Sequence, residues 1–427
     1  MAQQISYLGE RLGSKREGAS LVDWYSLGCV LLLCAVGLVS IYSATIYGAS
    51  ANAGMPTYFT RQAMFTGIGL AVMIAIIYIP TRWLEVASPF LYGISLALLG
   101  AVLFVGKTVN GQKNWLPLGP VTFQPSEVAK ICTLMAIAVY LARPNVNLHT
   151  IRDLFVVFLY TAAPIALIIL EPDYGSATVF IGMFLGIALW GGADLFLLYA
   201  LITPPIAAIA ALFGQQTLII TLIVITLGAF AFRRTIIITA VVISLSVGAG
   251  YVMPWVVNNV LKPYQKTRIE ILLDPNKDPR GQGYNVVQSK MAVGSGGLWG
   301  RGFQQGTQTQ LRYIPKQWTD FIYCVPTEEF GFVGGTLVIA LLAGLCMRLI
   351  RVAEFVQRRF ESTIIVGIAA IWTYHTFVNI GMALGMLPVI GIPLPFMSAG
   401  GTSLVINLAM LGLVLNFFRQ MRRRYDN

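Results

Sequence analysis

The chain has 427 residues, 56% of them hydrophobic and only 11% charged, with a formal net charge of +11. That composition excludes a water-soluble fold and describes an all-α integral membrane protein, because crossing a bilayer takes about 20 apolar helical residues and runs of that kind fill the chain. The excess of cations follows membrane topology rather than a nucleic-acid footprint, so nucleic acid is excluded as a partner.

After a polar segment over residues 1–21, twelve apolar runs follow: 22–45, 62–80, 88–106, 125–142, 154–170, 175–192, 195–213, 216–231, 235–256, 328–349, 363–386 and 400–418. Their length argues for helices, since membrane strands need only about 10 alternating residues and no stretch alternates. Pro204-Pro205 predicts a break in the seventh run, and the eighth is short. The first run starts too late and is too long for a cleaved signal peptide. Residues 22–418 read as one polytopic domain, and 419–427 as a polar tail.

Basic residues set the orientation. With the N-terminus inside the cell, sixteen cations fall in inner segments: Arg11, Lys15, Arg16, Arg82, Arg143, Arg152, Arg233, Arg234, Arg348, Arg351, Arg358, Arg359, Arg419, Arg422, Arg423 and Arg424. Three, Arg61, Lys107 and Lys113, fall in short outer loops. Both termini are then cytoplasmic, and the long polar stretch of about 258–327 faces the periplasm or cell exterior.

Unusual polar residues gather on that outer side. The first cluster, Gly106–Glu127, ends in Phe123-Gln-Pro-Ser-Glu127. Ser126 and Glu127 suit a helix entry, and Lys130 follows one turn later on the same face. The pair reads either as a structural ion pair or as one that also lines a polar cavity. The second cluster, Glu171-Pro-Asp-Tyr-Gly-Ser176, stands where a helix meets the outer surface, so Glu171 above all, and Asp173, read as solvated carboxylates.

The long stretch shows no regular pattern, yet it carries Trp299, Phe303, Tyr313, Trp318 and Phe321, which a solvated linker would not. It holds nine of the 29 Lys/Arg. Within Asp278-Pro-Arg-Gly-Gln-Gly-Tyr284, Asp278 stands beside Lys277 and Arg280, with Lys290 and Arg301 further on. An acid so placed can accept a proton from a hydroxyl, and its cationic neighbours suit an anionic leaving group such as a diphosphate. The bland reading is a turn aspartate. Glu328 and Glu329 read as complements to the start of the next helix, and His375 as a bonded core residue rather than a ligand. The five cysteines lack ligand spacing, no metal cluster is apparent, and neither a G-x-S-x-G nor a P-loop order occurs.

These motifs, in this order, resemble the SEDS family of bacterial cell-wall polymerases over nearly the whole length. The resemblance rests on Asp23-Trp24, Ile41-Tyr-Ser-Ala44, Phe123-Gln-Pro-Ser-Glu127 with Lys130, and Glu171-Pro-Asp-Tyr-Gly175. It continues through Asp278-Pro-x-Gly-x-Gly-Tyr284, Gln288-Ser289, Gly294-x-Gly-Gly297, Gly306-Thr-Gln308, Thr319-Asp-Phe-Ile322, Glu328-Glu329 and Ser398-x-Gly-Gly-Thr-Ser403. Gly391-Ile-Pro-Leu-Pro395 and the Asp-Trp start are closer to the RodA branch than to the FtsW branch.

The resemblance implies a ten-helix core, which makes two helices extra, the hairpin at about 195–231. It implies a peptidoglycan glycosyltransferase that polymerises lipid II during cell-wall elongation in the bacterial inner membrane, with Asp278 at the family's catalytic aspartate. Glu127, Lys130 and Asp173 fall on its other functional polar positions, and Lys277, Arg280, Gln288, Lys290, Ser398 and Ser403 stand in or beside its motifs. A class B penicillin-binding protein would be the partner, membrane lipids would surround a groove for the substrate's tails, and no cofactor is required, although a divalent cation could sit at the diphosphate. Trp318 and Ala399 depart from the family's His and Tyr. One essential carboxylate suffices, because diphosphate leaves as a stabilised anion, unlike the pair of acids a glycosidase needs. The competing classes are a lipid II flippase, which needs polar residues through the whole membrane depth, and a non-catalytic scaffold for a penicillin-binding protein.

Overall fold

In lipid, a long apolar run can satisfy its backbone polar groups only as a helix, and each of the twelve runs is one. The computed structural model describes residues 20–46, 57–109, 112–118, 121–261, 263–278, 281–315 and 317–426. Six helices come first: α1 (Trp24–Ile46), α2 (Thr57–Ile77), α3 (Thr81–Val105), α4 (Pro125–Leu141), α5 (Ile151–Leu170) and α6 (Tyr174–Trp190). Next are α7 (Leu195–Leu212), α8 (Gln215–Ala231) and α9 (Ile236–Asn259). After the long polar segment come α14 (Gly331–Phe355), α15 (Arg359–Ala383) and α16 (Gly401–Asp426). Among the described residues, nine of these helices have at least 18 residues and the apolar composition to cross a membrane; α6 and α8 are shorter apolar helices of 17 residues each.

The long polar segment differs from its reading as a patternless loop. It folds as α10 (Pro263–Leu273), a 3₁₀ turn (Pro275–Lys277), α11 (Gln282–Ser295), α12 (Thr307–Gln310) and α13 (Cys324–Glu329). Sequence periodicity missed these because they are short and bury their apolar residues against the bundle top, not along a full amphipathic stripe. Pro204 and Pro205 also fail to break α7, which runs through both. Helix α9 packs along it and Tyr199 of α7 donates its hydroxyl to the Ile225 carbonyl of α8, so neighbouring helices hold the segment as they do in other membrane bundles.

A small antiparallel sheet, β1 (Lys107–Val109), β2 (Gln112–Leu118) and β3 (Val121–Phe123), packs at the C-terminal end of α3. The residues between the first two strands are Asn110-Gly111, the pair that two-residue hairpins favour. Lys113 donates its ammonium to the Leu103 and Phe104 carbonyls at the end of α3, the polarity a helix C-terminus attracts.

Most of the core is one cluster spanning α1 to α6 and α13 to α16, joined by Leu198 of α7, Ile271 of α10 and Val286 and Ala292 of α11. A separate small core of Ala207, Leu218 and Ile225, flanked by Tyr199, Ala211 and Leu222, belongs to α7 and α8. At the end of the bundle away from the long polar segment, Arg348 grips both oxygens of buried Asp23 at 3.1 Å, joining α14 to α1. Arg424 grips Glu361 there at 2.8 Å.

One chain crossing explains several glycines of the long polar segment. Residues 296–302 run against 327–333, with Arg301 and Gly302 donating backbone bonds to the Glu328 and Glu329 carbonyls and Phe332 to that of Gly297. Gly300 (φ +82°) and Gly331 (φ +66°) take left-handed conformations there, and a Cβ on Gly300 would stand 2.1 Å from the Glu329 carbonyl oxygen.

Candidate active site

Asp278 ends the 3₁₀ turn and leads into α11. Its carbonyl accepts from the Gly281 and Tyr284 amides at 3.4 and 3.1 Å. Its half-buried carboxylate lies over Gly281, where a Cβ would come within 2.2 Å of Oδ2. Gly283 is constrained more firmly, since its Cβ would stand 2.1 Å from the Pro275 carbonyl oxygen, a backbone atom. The turn that presents the acid therefore demands Gly283, while a side chain at Gly281 would displace the Asp278 carboxylate. Lys277 is exposed beside it, while Arg280 lies outside the described residues. An open groove of about 400 Å³ runs along α11, walled by Pro275, Val287, Met291 and the exposed Lys290. Apolar walls with one ammonium suit an anion carried on a lipid. Gln288 is half-buried on the same helix. Arg301 is bound into the loop itself, donating to the Ser295 carbonyl and to Thr307.

A second cluster is fully buried between α4 and α15. The backbone enters α4 through Gln124 and Pro125, which puts Glu127 in the first turn. Lys130 Nζ lies 2.8 Å from Glu127 Oε1 and 3.3 Å from His375 Nε2. His375 Nδ1 lies 3.0 Å from the Pro393 carbonyl oxygen. A carbonyl only accepts, so Nδ1 carries the ring proton and Nε2 accepts a hydrogen bond from the ammonium. The expected Glu127–Lys130 pair is present. Its third member, His375, is a bonded core residue as its isolation suggested, but its bond to the pair was invisible across 245 positions.

Asp173 caps α6, taking the Ser176 amide and hydroxyl at 3.1 and 2.8 Å. It also accepts from Asn114 of β2 at 2.8 Å and Gln124 at 3.1 Å. It is thus a buried, saturated anion, not a solvated one. Glu171 departs further from its reading: it is 0% exposed and neither carboxylate oxygen has a hydrogen-bond partner. Burial, with Asp173 close by, pushes its pKa up to about 8. The reason is tertiary, because the small sheet and α6 close over a helix end that sequence alone places at the surface.

Glu328 and Glu329 do not serve the start of α14. Glu328 accepts the Gln308 and Thr309 amides at 2.8 and 2.9 Å, capping the short α12. Glu329 takes the Ser43 hydroxyl, the Gln304 amide and Gln310, and burial raises its pKa despite these bonds. Ser398 binds two chain segments, accepting from the Leu394 amide and donating to the Thr319 carbonyl at 2.7 Å. Ser403 accepts from Asn407, itself bonded to Trp372. Ser289, unmarked by the sequence beyond its motif, donates to the Ala383 carbonyl and contacts Cys324. The two departures from the family pattern meet directly: the Ala399 amide donates to the Trp318 carbonyl at 2.8 Å.

The structure thus puts Lys290 on the wall of the α11 groove, with Gln288 on the same helix and Lys277 and Asp278 in the chain just ahead of it. It puts Glu127 and Lys130 in one buried cluster, Asp173 in another, Ser398 in the turn before α16 and Ser403 in its first turn. The segment 384–400 links them. Its Gly385 packs on Lys290 and Val286 of α11, its Ile390 carbonyl on Gly175 of α6, and its Pro393 carbonyl on His375.

A family model for the FtsW, RodA and SpoVE group, described as a cell cycle protein, matches residues 23–217 and 212–423. The chain is 33% identical to the peptidoglycan glycosyltransferase MrdB of Escherichia coli K12, covering 92% of this chain and 94% of that one. It is 30% identical to the peptidoglycan glycosyltransferase RodA of Treponema pallidum, over 93% and 98%. Among solved structures it resembles a chain from work on the structural coordination of polymerization and crosslinking by a peptidoglycan synthase complex (TM-score 0.67, 32% identity, covering 94% and 98%). It also resembles the Thermus thermophilus rod shape determining protein RodA (TM-score 0.60, 26% identity, covering 93% and 97%).

Two outcomes follow from this geometry. Lys130→Met strands the Glu127 charge and should cost about 3–5 kcal/mol. The double variant Glu127→Gln, Lys130→Met should regain much of that, and unfolding midpoints in detergent will check it; additive losses would mean the two side chains do not interact. For Glu171, a carboxyl raised from its usual 4.5 to about 8 keeps its proton in the folded state while the unfolded chain releases it. Stability should therefore fall as pH rises from about 4.5 to about 8 and level off above. Glu171→Gln should abolish that slope and raise the midpoint at pH 8; an unchanged profile would show that Glu171 titrates normally.

Proposed function

The chain belongs to the FtsW/RodA/SpoVE family, and from that membership we propose how its outer groove works. It is a multi-pass membrane enzyme, a peptidoglycan glycosyltransferase. Our reading is that the substrate is lipid II and that Asp278 is the general base of polymerisation. The observation that carries it is the place of Asp278 in the chain between Pro275 and α11, which wall the groove together with the Lys290 ammonium, its carboxylate lying over Gly281.

In the reaction, Asp278 takes the proton of the acceptor sugar's hydroxyl as that oxygen attacks the anomeric carbon of the donor. The bond from that carbon to the lipid diphosphate breaks with its electron pair, so the diphosphate leaves as an anion and the configuration inverts. Lys290 and Lys277 balance the departing charge, with Arg280 assigned to the same task from its place in the motif. The apolar groove walls and the surrounding bilayer hold the lipid tails. Glu127, Lys130 and Asp173 do not touch substrate in this scheme; they fix α4, α6 and the 384–400 segment that supports α11. Gln288, Ser398 and Ser403 support the same scaffold.

Three further assignments belong to this reading. The two family matches meet at 212–217, in the turn between α7 and α8, which favours a hairpin of about 195–231 inserted into a ten-helix core. A class B penicillin-binding protein is the partner, in keeping with the peptidoglycan synthase complex that a neighbour comes from. The site of action is the cytoplasmic membrane of a bacterium, with 258–327 on the outer side and both termini inside.

Asp278→Asn keeps the side chain's shape but cannot take the proton. Polymer formed from lipid II by the purified variant should fall by about 10²–10⁴-fold, with folding and lipid II binding retained; wild-type yield would remove Asp278 from the chemistry. For orientation, a cysteine at Gln282 should react with a membrane-impermeant reagent in intact spheroplasts. Reaction only after permeabilisation would invert the topology.

A further inference from the structure

Leu298 and Trp299 form the tip of a turn in the outer segment and are 66% and 80% exposed. Neither side chain touches the bundle's core, yet the backbone beneath them is tightly fixed. Gly297 and Gly300 flank the pair with φ of +56° and +82°. The Phe332 and Val333 amides donate to the Gly297 and Leu298 carbonyls at 2.8 and 3.3 Å. An added Cβ on Gly331 would stand 2.3 Å from the Gly300 nitrogen, so the turn and the first residues of α14 are in direct backbone contact. A rigid mount under two large, exposed apolar side chains needs an occupant for what they present.

The position of the turn supplies it. Helix α14 is apolar and long enough to cross the membrane, and its outward stripe starts with exposed Phe332, Val333 and Leu337. The Leu298–Trp299 tip is bonded to the first turn of that stripe and so stands at the depth where hydrocarbon gives way to headgroups. Phe303 and Phe330, partly exposed and ring-stacked at 6.4 Å, extend the apolar surface between the tip and the helix. Indole is suited to that depth, since its body is apolar and its N–H can meet water or a headgroup. The tip is two side chains wide, far less than the roughly 800 Å² per partner that a standard protein interface covers.

We infer that the Leu298–Trp299 turn inserts into the outer headgroup–acyl boundary of the bilayer as an anchor for the outer segment, its ligand being lipid. Through the glycine crossing, the anchor fixes the height of α13 and, by way of the Ser289–Cys324 contact, of α11. The inference concerns a surface remote in sequence from Asp278 and holds whatever chemistry the groove performs.

The test uses the full chain. All five native cysteines are buried, so Trp299→Cys can be labelled selectively with an environment-sensitive fluorophore and returned to vesicles of phosphatidylcholine and phosphatidylglycerol. Lipids bearing a nitroxide near the headgroup should quench the label strongly, those with a deep nitroxide weakly, and the emission should shift to the blue relative to urea-unfolded protein. Quenching by a water-soluble nitroxide alone would place the tip in solvent and overturn the inference. Protection from lipid and aqueous quenchers alike would place it under protein, against a second copy, and overturn it equally. Leu298→Cys, labelled in the same way, repeats the measurement should the first variant fold poorly.

Discussion

A lysine ammonium cannot sit alone in a hydrocarbon-like interior, and the part of this protein that carries the long polar segment is arranged around that constraint. Lys130 is buried in α4, so it needs an anion and a further acceptor, and it finds them in Glu127 and His375. Because His375 must present its unprotonated nitrogen, its other nitrogen is committed to the Pro393 carbonyl. One buried charge thereby ties α4, α15 and the segment 384–400 together. Asn379 extends the same tie, donating to the Ile392 and Asp320 carbonyls.

That segment has no regular structure of its own and is held by donors from elsewhere. Gln62 bonds the Ser398 carbonyl and the Gly400 amide, Ser398 bonds Thr319, and Ala399 bonds Trp318. A backbone stretch satisfied in this way has little freedom, which is what a support for a reacting carboxylate requires. Phe396 even holds a left-handed φ of +65°, its ring set edge-on against Trp372. The support reaches Asp278 through α11, which sits on Gly385 and Ala383 by Val286, Lys290 and Ser289.

Carboxylates divide the remaining labour by environment. Asp173 accepts four hydrogen bonds and anchors the small sheet to α6, and Glu328 caps α12 with both oxygens. Glu171, with no donor at all, is the group for which protonation is the route to neutrality. Asp278 is half-buried, follows Lys277 in the chain and lies between Pro275 and α11, which wall the groove. Identical side-chain chemistry yields a cap, a clasp, a stored proton and a candidate base because the surroundings differ.

Length and apolar patterning determined the helices, since a run that must cross lipid has one way to satisfy its backbone, and all twelve were legible that way. The local motifs were legible too: Glu127 and Lys130 meet because one helical turn separates them, and the glycines near Asp278 announce a tight turn. Everything that depends on distant pairing was decided by the tertiary structure. His375 joins Lys130, Asn114 joins Asp173, and Ala399 joins Trp318 across gaps that no spacing rule spans. The same holds for burial. Glu171 and Asp173 stand at a helix end, which sequence reads as surface, and only the strands folding over that end take them out of water. Helix α7 persists through Pro204-Pro205 for the matching reason: local chemistry argues for a break, and the packing of α8 and α9 overrules it.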